Sequence, residues 1–111
     1  MTTCYALDLK DDPALIAEYE RWHQNVWPEV LDHLRASGIT QCSIHRAGNR
    51  LFMIVESSTG AATDGGGASL PPRVQEWEEL MSTFQQPLPF AKPGEKWVRM
   101  ERIFDWTTEG R

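Results

Sequence analysis

The chain reads EYERWHQNVWPE from Glu18 to Glu29, where two helical patterns meet. Tyr19 and His23 are four residues apart, so a helix places them on one face, about one turn from each other. Pro28 lacks an amide hydrogen, and its ring collides with the carbonyl four residues back, which predicts a break or sharp kink over residues 24–27. Two proton-carrying side chains beside aromatic rings suit a small polar substrate with an apolar face. The same spacing is also typical of an amphipathic helix whose aromatic residues belong to the core.

Regular patterns flank this stretch on both sides. Side chains alternate along residues 3–9, which predicts a β-strand. Asp12 stands where its carboxylate can cap the free amides of a helix, and Pro13 suits the first helical position. The second helical pattern ends at Gly38, a residue that readily takes the left-handed conformation of a helix stop. Three residues of that second helix are expected to face inward: Val30, Leu31 and Leu34.

The rest of the chain predicts a hairpin, a helix and a last strand. Alternation over residues 39–46 indicates a strand, and the Ala-Gly-Asn-Arg sequence at 47–50 indicates a hairpin turn, because Gly and Asn tolerate positive φ. Residues 51–56 (LFMIVE) are nearly all apolar, which indicates a strand inside the sheet. Helical spacing over 73–86 and alternation over 96–106 predict a helix and a long final strand.

The segment 57–72 differs from the rest in composition. It contains four glycines, other small residues and a Pro-Pro pair, which predicts a flexible loop within a single domain that spans residues 1–111. Three of the glycines are consecutive, but no Gly-Lys-Ser or Gly-Lys-Thr follows them. That absence argues against a phosphate-binding loop.

The predicted order of elements is β-α-β-β-α-β, with the first helix broken. This order is typical of the α+β class and of the ferredoxin-like sandwich. In such a fold the helices cover one face of the sheet and leave the other open. An exposed apolar sheet face is normally covered by something, and two copies packed sheet to sheet would do so. We therefore expect a homodimer.

Composition and charge exclude several classes of function. The formal net charge is −5, which argues against nucleic acid or an anionic membrane as the main partner. The sequence has neither a run of about 18 apolar residues nor a basic-then-apolar N-terminus, so neither a membrane span nor a secretory signal is predicted. Cys4 and Cys42 are too few and too far apart for a metal motif or a disulfide framework. Free thiols in a reducing cytoplasm are the simpler interpretation.

The stretch around His23 also resembles the signature of a known family. Tyr-x-x-x-His followed by Asn-x-Trp-Pro-Glu is similar to the pattern of L-rhamnose mutarotases, small proteins that interconvert the α and β anomers of a 6-deoxy-hexose. A Gln-Glu-Trp-x-x-x-Met helix (residues 75–81) and a Met-Glu-Arg-Ile-Phe-Asp strand (residues 100–105) support the match. The resemblance implies a dimeric α+β barrel and an isomerase that acts on L-rhamnose or on its relative L-fucose without metal or cofactor. Members of the family usually carry a short helix with a further aromatic residue where this chain has the glycine-rich segment 57–72.

Mutarotation needs a base for the anomeric hydroxyl and an acid for the ring oxygen. His23 is the first candidate, because histidine can both accept and donate protons near neutrality. Tyr19, one turn earlier, is the second: its phenol can donate to the sugar ring oxygen or orient the imidazole. Each also has a structural interpretation, His23 as a solvated helix-end residue and Tyr19 as a core residue with its hydroxyl at the rim. The sequence does not assign the acid and the base between them.

Three further residues are candidates for binding the sugar. Trp77 and Trp27 can stack on its apolar face, although Trp77 also fits the core stripe of the last helix and Trp27 could simply hold the kink before Pro28. Asn25 can bind sugar hydroxyls, or it can cap the second helical stretch. The family match favours Trp77 as a residue of the pocket.

Two other functions compete with the sugar isomerase. One is a cofactor-less oxygenase of the same dimeric fold, in which the histidine would act as the base for an aromatic substrate, but only the fold supports it. The other is a non-catalytic dimer that binds a small ligand or a protein through the glycine-rich segment. Anomer exchange without oxygen uptake would separate the isomerase from both.

Overall fold

A computed structural model of the protein describes residues 1–58 and 70–108. Within them an antiparallel sheet packs with three helices. The elements in chain order are β1 (Thr2–Leu9), α1 (Pro13–Trp22), α2 (Pro28–Ala36), β2 (Ile39–Ala47), β3 (Arg50–Ser57), α3 (Pro72–Ser82), β4 (Gln85–Gln86) and β5 (Val98–Arg99). The strand order is β2-β3-β1-β4, with β5 also paired to β1. Most of the predicted loop 57–72 lies outside the described residues.

The strands β1 and β3 form the interior of the sheet, as the apolar run of residues 51–56 predicts. They are antiparallel in a register that pairs Leu7 with Leu51 and Tyr5 with Met53. Residues at alternate positions share a sheet face, so these side chains point to the same side, toward the helices. The buried core on that side is one cluster: Tyr5, Leu7, Leu9, Tyr19, Val30, Leu51, Val55, Trp77, Met81, Phe84 and Trp97.

The helix starts, the break and the helix stop are confirmed. The Asp12 carboxylate accepts hydrogen bonds from the amides of Ala14 at 2.9 Å and Leu15 at 3.4 Å, and Pro13 opens α1. The chain leaves the helix between Trp22 and Pro28, which itself begins α2. Gly38 follows α2 with φ 84°, a value that favours glycine.

Two predictions about the helices are wrong. Leu31 was expected to face inward, yet it is 45 % exposed, while its neighbour Val30 is buried. The helix predicted over 73–86 ends at Ser82. The amides of Thr83 and Phe84 bond to carbonyls only three residues back, which closes the helix. The next residues pair with the open edge of β1 instead, and these sheet hydrogen bonds override the helical spacing.

The long final strand predicted over 96–106 is also wrong in extent. Only Val98–Arg99 is a strand, and Met100 adds one more hydrogen bond, from its amide to the carbonyl of Cys4 at 2.8 Å. Arg99 pairs with Tyr5, so each further residue along the tail meets an earlier residue of β1. The tail therefore leaves the edge of β1 at Cys4, although β1 itself continues to Thr2.

The tail beyond Arg99 exposes large apolar side chains. Ile103 is 93 % exposed and Phe104 is 81 % exposed, and Met100 and Trp106 are exposed as well. On the sheet face that the helices do not cover, Ile54 of β3 is exposed too. Among the described helices, none is long and apolar enough to cross a membrane.

Candidate active site

The end of α1 brings Tyr19 and His23 together, as their spacing predicts. Their ring centroids are 4.5 Å apart. The His23 amide bonds to the Glu20 carbonyl at 3.2 Å, which leaves the Tyr19 carbonyl without the amide partner that a continuing helix would supply. The His23 ring takes that place, with Nδ1 2.9 Å from the Tyr19 carbonyl oxygen.

This hydrogen bond determines the tautomer of the imidazole. A carbonyl oxygen only accepts, so Nδ1 must carry the hydrogen and donate it. In the neutral ring the other nitrogen, Nε2, then has a free lone pair. The helix break thus leaves His23 with a proton acceptor directed away from the backbone.

The Tyr19 phenol is held in its neutral form. The residue is only 3 % exposed, and burial raises the pKa of Tyr19 to about 12. The nearby negative charge of Glu78 adds to the increase, while the hydrogen bond from Gln85 opposes it. Near neutral pH the phenol is therefore a proton donor and not a phenolate base.

Gln85 is the long-range partner of that phenol. Its Nε2 donates to the Tyr19 hydroxyl oxygen at 3.3 Å, across 66 residues of sequence. The other end of the amide, Oε1, is buried and accepts no hydrogen bond within the described part of the chain. A buried polar atom left unpaired costs about 1–3 kcal/mol, so this atom is an exception among buried groups.

Trp77 lies at the centre of an aromatic cluster. Its ring meets those of His23, Trp27 and Trp22 edge-on, with centroid distances of 5.6, 5.2 and 6.3 Å respectively. The residue is buried on α3 and belongs to the core, as its helical spacing allows, and it also forms the wall beside the imidazole. Trp22 is partly buried and packs against the same core.

Trp27 has one face already covered. The Arg73 guanidinium carbon lies 4.0 Å from its ring centroid, a cation–π contact, and Arg73 also pairs with Glu76 at 3.2 Å. Trp27 is itself the N-cap of α2, without a side-chain capping bond, so the alternative role of Asn25 as that cap is wrong. Asn25 is exposed, and its role in binding sugar hydroxyls stays a prediction.

Glu78, whose negative charge acts on the Tyr19 phenol, forms an ion pair with Lys96. Lys96 Nζ is 3.1 Å from Glu78 Oε1 and also donates to the Glu78 carbonyl at 3.3 Å. Sequence reasoning missed Gln85, Glu78, Lys96 and Arg73 as neighbours of the site. The one signal in the sequence was a polar Gln85 next to the apolar Phe84 at the end of the last helical pattern. It could not identify Tyr19 as the partner of Gln85, because the two residues are 66 positions apart.

The arrangement is suited to proton transfer at a small polar molecule. It combines a neutral phenol that donates, an imidazole nitrogen that accepts, and indole rings on one side. Residues 1–58 and 70–108 contain no group of three or more His, Cys, Asp or Glu side chains that could hold a metal ion.

Comparison with known proteins identifies the family. A family model described as L-rhamnose mutarotase matches residues 2–106. The chain belongs to the L-rhamnose mutarotase family. It is 49 % identical over 109 residues to an L-fucose mutarotase of Xanthomonas campestris pv. campestris, a match that covers 91 % of this chain and 84 % of that protein. It is 34 % identical over 93 residues to an L-rhamnose mutarotase of Rhizobium johnstonii, covering 80 % and 84 %.

Solved structures agree on the fold of this mutarotase family member. The crystal structure of an L-rhamnose mutarotase from Formosa agariphila superposes with a TM-score of 0.72 at 20 % identity, covering 96 % of this chain and 99 % of the other. A tetracenomycin F2 cyclase from Streptomyces glaucescens, a type II polyketide cyclase, reaches 0.57 at 14 % identity. These likenesses show a shared mixed α/β fold. Together with the family match, the relatives make this protein a sugar mutarotase, an isomerase.

Proposed function

We propose that the protein interconverts the α and β anomers of a 6-deoxy-hexose, with L-fucose as the first substrate to test and L-rhamnose as the second. The higher identity to the L-fucose mutarotase, 49 % against 34 % for the L-rhamnose mutarotase, supports this order. Both sugars have an apolar methyl group at one end and hydroxyls elsewhere, which suits a site with indole rings beside polar groups.

In the proposed reaction, His23 Nε2 takes the proton of the anomeric hydroxyl while the Tyr19 hydroxyl gives its proton to the ring oxygen. The bond between the anomeric carbon and the ring oxygen breaks, and an open-chain aldehyde forms. Rotation of the aldehyde presents its other face. On closure the hydroxyl adds to the carbonyl carbon, its proton returns to Tyr19, and the carbonyl oxygen recovers a proton from His23. The scheme uses only protons and returns both side chains to their starting states.

The observation that carries this assignment is the hydrogen bond from His23 Nδ1 to the Tyr19 carbonyl. It leaves Nε2 as the acceptor, which supports His23 as the base, and the buried neutral phenol supports Tyr19 as the acid. Trp77 and Trp27 serve as the apolar wall for the sugar, and Asn25 as a hydroxyl contact at the rim. Arg73 covers one face of Trp27, so its other face is the one we assign to stacking on the sugar, while Trp77, only 4 % exposed, forms the wall beside the imidazole.

The test is NMR saturation transfer between the α and β anomeric protons of L-fucose and of L-rhamnose. The wild-type protein should exchange one sugar faster than buffer does, and His23→Ala should lose that exchange. His33→Ala, a matched histidine variant on α2, should keep it. Equal exchange in His23→Ala and wild type would remove the proposed base. No exchange of either sugar by the wild-type protein would overturn the choice of substrate.

We also propose the ferredoxin-like, dimeric form of the fold, with the open sheet face and the C-terminal tail covered by a second copy. The strand order β2-β3-β1-β4 supports the topology. The exposed Ile54, Ile103, Phe104 and Trp106 support the dimer, because monomers seldom leave so many large apolar side chains in water. A cytoplasmic location fits the free thiols of Cys4 and Cys42.

A further inference from the structure

Gln85 occupies a position where an apolar residue would be expected. It pairs with Leu9 in the sheet, and paired residues share a face, so its side chain lies on the helix-covered face with a fully buried leucine. Gln85 itself is 8 % exposed, and the residue before it, Phe84, packs edge-on against Tyr19 with centroids 6.0 Å apart. A polar amide has thus been buried inside the core, next to the phenol of the proton-transfer pair.

The hydrogen bonding of this amide is half complete. Nε2 reaches the Tyr19 hydroxyl oxygen at 3.3 Å, which is longer than the usual value of about 2.9–3.0 Å. Oε1 accepts no hydrogen bond from residues 1–58 or 70–108. Both atoms belong to one planar amide, so the free acceptor lies beside the phenol. A group that only supported the fold would be expected to satisfy both ends, or to be replaced by an apolar side chain.

The direction of the bond to Tyr19 has a consequence for its proton. Nε2 donates to the phenol oxygen, so the phenol hydrogen is not used in this contact and can point to another acceptor. Glu78, whose charge acts on the phenol, is paired with Lys96, and the amide of Gln85 is the group that bonds to the phenol directly. One side chain therefore orients the phenol and presents a free acceptor next to it.

We infer that Gln85 is a substrate-binding and specificity-determining residue, whose Nε2 orients the Tyr19 hydroxyl and whose Oε1 accepts a hydrogen bond from one hydroxyl of the bound sugar. The ligand class is a monosaccharide with a free hydroxyl at carbon 2, 3 or 4, in addition to the anomeric hydroxyl that His23 contacts. The inference rests on the proposed pairing of Tyr19 and His23 with the sugar ring. It adds a residue that no motif around His23 includes, since Gln85 comes 62 positions after that histidine in the sequence.

The experiment measures the energetic coupling between Gln85 and each sugar hydroxyl. Dissociation constants are determined by NMR titration for L-fucose and its 2-, 3- and 4-deoxy analogues, with wild type, Gln85→Met, Gln85→Glu and Gln86→Met. Methionine keeps the unbranched shape but removes both amide atoms, whereas glutamate keeps an acceptor oxygen in either protonation state. Gln86→Met is the matched control, because Gln86 is the exposed neighbour on the same short strand.

One deoxy analogue should bind wild type at least about 10-fold more weakly than L-fucose, and Gln85→Met should bind that pair of sugars equally. Gln85→Glu and the Gln86→Met control should retain the discrimination. If Gln85→Met discriminates among the sugars as wild type does, or weakens all of them by one common factor, Gln85 is structural and the inference is overturned. Anomer exchange by the wild-type protein, recorded on the same samples, shows separately whether the proposed function holds. Should the wild-type protein bind none of the sugars, both would fall.

Discussion

The helix break at residues 23–27 and the tail at residues 100–108 are both irregular. They differ in how far their backbone groups and side chains find partners within the chain. At the break, the amides of His23, Gln24 and Asn25 bond to carbonyls three residues back, and the His23 ring bonds to the carbonyl of Tyr19. In the tail, Ile103 and Phe104 expose almost their whole side chains. A helix end satisfies its free groups locally, whereas a strand needs a neighbour. The first region is thus complete in one chain, whereas the second leaves large apolar side chains exposed, which supports the proposed dimer.

The largest expected effect is on the rate of anomer exchange, through the two side chains at the helix break. Tyr19→Phe and His23→Ala should each lower the rate of anomer exchange by about 10²–10⁴-fold, the usual contribution of one acid or base. The double variant should lose little more than the worse single variant, because the two groups act as a unit. Saturation-transfer NMR provides the rates. Losses that multiply would show that the two side chains work independently.

The raised pKa of Tyr19 makes a second prediction for the same region. Below pH 10 both the folded and the unfolded states keep the phenolic proton, whereas from about pH 10 to 12 only the folded state keeps it. Stability should therefore fall across this range, by roughly 2–3 kcal/mol more in wild type than in Tyr19→Phe. Urea unfolding at pH 9 and above pH 11 measures this difference. Identical pH dependence in the two proteins would contradict a buried, neutral phenol.

A third prediction tests whether the exposed tail forms the interface of the proposed dimer. Phe104→Asp should raise the dimer dissociation constant at least about 10-fold, because burying a phenylalanine side chain is worth about 1.5–3 kcal/mol. Phe90→Asp is the matched control: Phe90 is 69 % exposed but lies outside the tail. Sedimentation velocity over a concentration series gives both constants. A wild-type mass equal to one chain at micromolar concentration, or an equal effect of the two variants, would rule out the tail as the interface.

The smallest effect is expected at the start of α1, where the capping bonds join residues two and three positions apart. Asp12→Ala removes the carboxylate that accepts from two helix amides and should cost about 1 kcal/mol of folding free energy. Asp11→Ala removes the same charge from the preceding residue, without a capping bond, and should change stability much less. Urea denaturation compares the two variants. Equal losses would mean that charge, not capping, sets the stability of this helix start.

These two regions also show how far the sequence could lead. The break, the Asp12 cap, the Gly38 stop and the alignment of Tyr19 with His23 depend on interactions within a few residues, so local patterns predicted them. The predicted end of the last helix and the predicted length of the final strand were wrong. Both depend on which residues pair with the edge of β1. That register is decided by side chains dozens of residues apart.

The candidate site divides in the same way. The residues on α1 and Trp77 could be named from spacing and from resemblance to a family, and the family was confirmed. Gln85 and Lys96 could not, because their neighbours are brought close only by the pairing of β4 and β5 with β1. Arg73 lies over Trp27 only because α3 packs beside the start of α2.

The sequence by itself determined the local elements, the family and the pair of proton-carrying residues on one helix face. It could do so because capping, proline geometry and helical periodicity act over a single turn or strand. Only the tertiary structure decided that burial keeps the Tyr19 phenol neutral, that Gln85 is its partner, and that the tail leaves Ile103 and Phe104 exposed. Burial and strand pairing depend on contacts between residues far apart in the sequence, so no short stretch of sequence can predict either.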